Sequence, residues 1–180
     1  MLEDAEAVAR EACERILAAA SAAIHERGRF RIVMAGGSTP ERAYNLLAAA
    51  ESEWGRWEIY LGDERCLAAG HPERNSVLVE RTLSGRVPIP AHKIHPIEAE
   101  LGPEQAADRY QEIVADALPF DLVLLGMGED GHTASLFPGH FHNEERLVCA
   151  VHAAPKPPPE RVSLTPRALV NSRNILFLIT

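Results

Sequence analysis

His132 stands inside Gly126-Met127-Gly128-Glu129-Asp130-Gly131-His132-Thr133, which holds three glycines in six residues and a carboxylate two places before the imidazole. Histidine is the side chain whose ordinary proton affinity lies near neutrality, which suits a general base. A carboxylate such as Asp130 can orient the ring and favour its charged form. Glycines at this density imply a backbone folded tightly around something. A lone histidine in a loop is commonly structural, but the glycines, the acid and the apolar run Phe120 to Leu125 just before it favour function.

Two other segments carry chemistry. In Gly36-Gly37-Ser38-Thr39-Pro40 the glycines let a backbone approach an anion closely. A helix starting there offers unpaired N–H groups and the positive end of its dipole. Ser38 and Thr39 add hydroxyl donors. The segment is neither a G-x-G-x-x-G fingerprint nor a Walker loop, because no Lys-Ser/Thr follows. A tight turn before a capped helix is the other reading. In Gly62-Asp63-Glu64-Arg65, Arg65 could grip a phosphate bidentately while Asp63 or Glu64 holds its guanidinium. The plain alternative is a solvated loop.

Metal and nucleophile chemistry find less support. His92/His95 and His140/His142 have ligand-like spacing but no accompanying Cys or acid in a zinc pattern, so no metal is expected. No G-x-S-x-G elbow is present, which argues against a serine hydrolase of the α/β-hydrolase type.

The elements that position these residues alternate. Apolar positions at helical spacing run from about Glu3 to Arg27, with Gly28 at the helix end. Phe30 to Ala35 reads as a buried strand, and a helix from Pro40 to about Ala50 follows, with Ser38 or Thr39 as N-cap. Trp57 to Leu61 reads as a strand, Gly62 to Pro72 as a loop and Arg74 to Leu83 as a helix. Val87 to Ile97 is irregular, with a short strand around Ile94. Pro103 to Leu118 forms an amphipathic helix and Phe120 to Leu125 the clearest buried strand. Leu147 to His152 and Val162 to Thr165 are strands, split by the Pro155-to-Pro159 turn. A short helix follows Thr165-Pro166, and Ile175 to Ile179 is a last buried strand. Such alternation predicts one α/β domain: a mainly parallel sheet with helices on both faces and ligands beyond the carboxyl ends of the strands.

Bulk properties narrow the function classes. The chain has 180 residues, 46% hydrophobic and 24% charged, as in an ordinary globular domain. A net charge of -8 disfavours nucleic acid, which demands a basic face. Cys13, Cys66 and Cys149 are odd in number and unpaired by spacing, against a disulfide framework. No signal peptide opens the chain and no apolar run is long enough to span a bilayer, so no membrane partner is expected and a cytoplasmic setting is.

The series Gly36 to Pro40, Asp63-Glu64-Arg65 with His71 and Asn75, Gly126 to Gly139 (GMGEDGHTASLFPG) and Pro157 to Thr165 (PPPERVSLT) resembles the 6-phosphogluconolactonases. The matches keep the family's order and cover nearly the whole chain. The resemblance implies a modified Rossmann-like fold shared with glucosamine-6-phosphate deaminases. It implies hydrolysis of 6-phospho-D-glucono-1,5-lactone in the oxidative pentose phosphate pathway, with no metal or organic cofactor. His132 would then activate water and Asp130 would orient it. Arg65, Arg161 and the Gly37-Ser38-Thr39 loop would bind the phosphate, with Gly36 and Asp63 in the same substrate-binding set. Donors for the oxyanion are expected among the N–H groups of the Gly126-to-Gly131 turn. The partner implied is a small sugar-phosphate lactone, and the expected state is a monomer or weak homo-oligomer.

Departures from the family pattern are Arg74 in place of Ser and Ala68 in place of Pro. Relatives continue past the position of Thr180 with Gly-x-x-Lys and a further helix. The expectation is a single lactonase-like domain over 1–180 that lacks this segment, with its last strand uncovered. Two alternatives stand beside the lactonase. An amino-sugar phosphate deaminase/isomerase shares the GxDGH turn but follows it with Ile-Ala-Phe-Asn-Glu, where this chain has Thr133-Ala134-Ser135-Leu136-Phe137-Pro138. A non-catalytic sugar-phosphate sensor would keep the pocket without turnover.

Overall fold

A computed structural model describes residues 4–140 and 145–179; His142 of the His140/His142 pair lies outside them. The first helix, α1 (Ala5–Arg27), starts where the Asp4 carboxylate accepts the Ala7 N–H at 2.7 Å. It stops at Gly28, whose φ of 71° is a left-handed conformation that glycine adopts without a Cβ penalty. The face carrying Ala9, Ala12, Ile16, Ala20 and Ala23 is buried, and it packs on α2 (Ser38–Leu47).

Five strands form one sheet in the order β4 (Ile94–His95), β2 (Trp57–Leu61), β1 (Phe30–Met34), β5 (Leu122–Leu125), β8 (Ile175–Phe177), every pair parallel. The central strands are apolar on both faces because helices cover both: Ile32, Val33, Met34, Val123 and Leu124 are fully buried. The α/β class read from the sequence is therefore the observed one.

A second sheet was not foreseen. β3 (Asp63–Arg65), β7 (Arg161–Leu164) and β6 (Val148–Val151) pair antiparallel in the order β3-β7-β6, and α4 (Pro103–Ala117) packs on β6 and β7. The Gly62-to-Pro72 stretch was expected to be a loop. β3 is three residues long and charged throughout, so no apolar alternation announces it. Gly62 is the switch between the sheets. Its N–H donates to Met34 O at 3.0 Å in the first, and its carbonyl accepts the Leu164 N–H at 2.8 Å in the second.

Three boundaries also differ from expectation. The α2 N-cap is Gly37, at φ 111°, with no side-chain cap; Ser38 and Thr39 lie inside the first turn. Glycine can take that positive φ, so the chain turns from strand to helix one residue earlier. The helix expected over Arg74 to Leu83 divides into α3 (Asn75–Val79) and a π-type turn, Glu80–Ser84. The last strand, read as an apolar run but expected to be uncovered, is an edge paired with β5, and its Ile175 is 39% and Phe177 51% exposed. α5 (Pro166–Val170) follows Thr165 as expected.

Candidate active site

The carboxyl ends of the strands are fixed by two buried tyrosines. Tyr44 Oη accepts the Ala35 N–H at 2.9 Å and donates to Ala35 O at 2.8 Å, which pins the chain leaving β1. Tyr110 Oη accepts the Leu61 N–H at 2.8 Å at the end of β2. Burial raises both phenols' pKa values, so both remain neutral donors and acceptors.

Beyond these ends lies a cleft of about 320 Å³. Gly36, Gly37, Ser38, Thr39, Asp63, Arg65, His132 and Arg161 all line it, so eight of the nine residues singled out from the sequence share one cleft. The ninth, Asp130, stands behind His132, with its Oδ1 at 2.5 Å from the ring Nδ1. The imidazole's hydrogen bond is the main cause that holds the Asp130 pKa below the usual carboxylate range. A carboxylate at Nδ1 fixes the tautomer with Nδ1–H and leaves Nε2 as the basic nitrogen.

The turn's glycines serve this pair. A Cβ on Gly128 would lie 2.3 Å from the His132 ring and 2.6 Å from Asp130 Oδ1, so only hydrogen fits. The Gly128 N–H donates to His132 O at 2.8 Å and the Gly131 N–H to Gly128 O at 2.9 Å. Those two N–H groups are consumed inside the turn and cannot supply the oxyanion donors expected there. Thr133 Oγ1 donates to Gly126 O at 2.8 Å, and the Phe137 ring packs against His132 at 4.6 Å between centroids.

The opposite wall is suited to an anion. Gly37, Ser38 and Thr39 bring the start of α2 to the cleft, where first-turn N–H groups have no intrahelical acceptors. Arg65 Nη1 donates to Glu73 O at 2.7 Å, and its buried Nε meets no acceptor among the described residues. Arg161 Nε donates to Pro158 O at 3.0 Å, while Nη2 donates to Lys156 O at 2.9 Å and Pro157 O at 3.0 Å. Its guanidinium lies 5.5 Å from the Phe137 ring centre. Burial lowers the Arg161 pKa, with Asp63 opposing and Arg65 adding to the effect.

The two acids next to Arg65 do not hold its guanidinium, as the sequence suggested. Glu64 is fully buried and accepts the Arg65 N–H at 2.9 Å, the Asn75 N–H at 2.7 Å and the Ser76 N–H at 2.9 Å. It therefore caps α3. Asp63 Oδ2 accepts Ser135 Oγ–H at 2.6 Å and Oδ1 accepts Asn75 Nδ2–H at 2.9 Å. Burial raises the Asp63 pKa; the Ser135 hydrogen bond opposes this and Glu64 adds to it. Asn75 also closes on the glycine loop: a Cβ on Gly36 would lie 2.0 Å from its Oδ1. Asn75 and Ser135 sat inside the quoted motifs without an assigned role. A small polar side chain amid an otherwise apolar run, as in Ala134-Ser135-Leu136, is the signal that could have marked Ser135.

Arg74, the departure from the family pattern, is buried. It bonds Glu100 at 2.7 Å and Ile97 O at 2.6 Å, and its Nε lies 3.5 Å from Glu64. No cluster of three potential metal ligands occurs among the described residues. None of their helices is long and apolar enough to cross a membrane.

A carboxylate-backed imidazole facing a helix N-terminus across the ends of parallel strands defines a Rossmann-like α/β protein with a small-anion cleft. The chain belongs to the family glucosamine-6-phosphate isomerases/6-phosphogluconolactonase, whose model matches residues 3–180. Among relatives, it is 36% identical to a probable 6-phosphogluconolactonase 3, chloroplastic, of Oryza sativa subsp. indica, over 100% of this chain and 61% of that protein. It is 38% identical to the 6-phosphogluconolactonase of Homo sapiens, over 86% of this chain and 65% of that one. It thus spans less than two thirds of the length of both. Among solved structures, the 6-phosphogluconolactonase of Thermotoga maritima superposes with a TM-score of 0.91 at 33% identity, covering 98% of this chain and 80% of that one. A monomeric glucosamine-6-phosphate deaminase, 18% identical with a TM-score of 0.83, shares the fold.

Proposed function

We propose that this protein hydrolyses 6-phospho-D-glucono-1,5-lactone to 6-phosphogluconate, the lactone-opening step of the oxidative pentose phosphate pathway, without a metal or organic cofactor. The observation that carries the reading is the Asp130–His132 pair on one wall of the cleft, with the α2 N-terminus and Arg65 on the other. His132 Nε2 takes a proton from water as its oxygen bonds to the lactone carbonyl carbon. The tetrahedral intermediate then collapses, the bond to the ring oxygen breaks, and His132 returns the proton to that oxygen. One water is consumed and one carboxylic acid forms.

Arg65, which lines the cleft, and the first turn of α2 bind the 6-phosphate, the one through its guanidinium and the other through its N–H groups. Binding at this remote group holds the carbonyl against the base, which converts affinity into rate. Asp63 and Gly36 shape the site without contacting the reacting atoms. Three free cysteines, two of them buried, are consistent with a reducing cytoplasmic setting. The same reading takes the chain as one lactonase-like domain, monomeric or weakly self-associating.

The test is to generate the phosphorylated lactone in situ and follow acid release for wild type and His132→Ala. The expected result is a wild-type rate well above spontaneous opening and a loss of about 10² to 10⁴ in the variant. A wild type that binds 6-phosphogluconate without accelerating hydrolysis would make the protein a sugar-phosphate sensor. Release of ammonia from an amino-sugar phosphate would make it a deaminase.

A further inference from the structure

Asp130 has a second partner. Its Oδ1, the atom that faces His132 Nδ1 at 2.5 Å, also lies 3.6 Å from Lys156 Nζ. Lys156 belongs to the Pro155-to-Pro159 turn, where four prolines fix φ and restrict how far the chain can move. Arg161 ties that turn down by donating to the carbonyls of Lys156, Pro157 and Pro158, at 2.9, 3.0 and 3.0 Å. The same guanidinium rests against Phe137, whose ring also packs on the His132 ring. The turn that carries the ammonium and the ring that carries the base thus meet on the two sides of one arginine–phenylalanine contact.

We infer that Lys156 is a positioning residue for the catalytic pair, and that Arg161 is the strut that presents it. This rests on the proposed lactonase reading. Lys156 does not line the cleft. It acts through Asp130: the ammonium and the imidazole share Oδ1, so the ammonium holds that oxygen where Nδ1–H meets it. Without the ammonium, a carboxylate whose side chain is 37% exposed can rotate towards water and leave the imidazole unoriented. The charged groups that face Asp130 are His132 on its own turn and Lys156 across from it.

A double-mutant cycle on the whole protein tests this, with Lys156→Met, Asp130→Asn and the pair. Lys156→Met should lower kcat by about twofold to fivefold, the size of an exposed ion pair, and leave KM unchanged. Lys156→Arg should restore kcat. In the Asp130→Asn background Lys156→Met should change nothing further. In the free enzyme, Lys156→Met should also move the ¹⁵N resonance of His132 Nδ1. Additive losses in the cycle, a raised KM with kcat intact, or an unmoved Nδ1 resonance would each overturn the inference. The side chain is 45% exposed, so the variant should fold. If the wild type does not hydrolyse the lactone, the proposed activity fails, and the resonance alone decides the role of Lys156.

Discussion

Asp63 and Ser135, 72 positions apart, are joined by a 2.6 Å hydrogen bond in the buried floor of the cleft. The bond links the second sheet to the turn that bears His132, three residues earlier. Ser135→Ala should therefore destabilise the fold by about 1–3 kcal/mol, the cost of leaving a buried acceptor unpaired, and lower kcat as the turn loosens. Burial holds the Asp63 pKa above its unfolded value, and the serine hydroxyl favours the charged form. As pH falls through the raised folded value, the folded protein gains a proton first and stability rises relative to an unshifted carboxylate. The Ser135→Ala penalty should accordingly shrink on acidification. Urea melts at several pH values measure it, and a penalty independent of pH would refute the assignment.

Gly128→Ala should inactivate without unfolding. The added methyl would sit 2.3 Å from the His132 ring, and the turn lies at the surface, where the ring can be displaced at small cost to the core. The expected loss in kcat is 10²-fold or more, comparable to removing the base, with a change in Tm of only a few degrees. Activity within tenfold of wild type would show that the turn adjusts around the methyl.

Arg74→Ser, which restores the residue common in the family pattern, should destabilise this chain. The buried guanidinium is bonded to Glu100 and Ile97 O and lies beside the fully buried Glu64. Removing one partner of a buried ion pair costs about 3 kcal/mol, roughly 6–12 °C in Tm for a chain of this size. Because Arg74 does not line the cleft, KM well below the melting range should be unchanged.

His152 joins α4 to the second sheet through Glu104 at 3.0 Å and Glu160 at 2.6 Å. The hydrogen bonds its ring donates to Glu104 and then to Glu160 raise its pKa above 6.5 in the fold. Its stabilising contribution is therefore fully present below the unfolded value and is lost as pH rises through the higher folded one. All three side chains are exposed, so solvent screening limits each pair to under about 1 kcal/mol. The gap in Tm between wild type and His152→Ala should be largest below the unfolded value and close as pH rises through the raised folded one. A gap that widens with pH would contradict the ion triad.

The parallel sheet and the position of the turn that bears His132 were legible because they are written in local patterns. β5 is a continuous apolar run, β1 and β2 are apolar but for Arg31 and Glu58, and the Gly-rich turns follow closely after β1 and β5. The second sheet was illegible because its defining pairings are remote and its charges point inward. Asp63-Glu64-Arg65 reads as a solvated run. Its carboxylates are instead satisfied by Ser135, Asn75 and the backbone of α3, partners that only the fold supplies. Arg161 was legible as a cation in the site, but its use on three carbonyls depends on a proline turn whose path no residue pattern specifies.

Gly62 is the only residue between β2 and β3, and its two backbone bonds run to different sheets. The cleft lies across that seam: Gly36 to Thr39 and His132 follow strands of one sheet, while Asp63, Arg65 and Arg161 belong to the other. On the lactonase reading, a sugar phosphate seated there would fasten the two sheets together. At a hundred times its Kd such a ligand adds about 2.7 kcal/mol to folding, so a filled site makes the protein measurably harder to melt. On the lactonase reading, turnover would alternately clamp and free that joint.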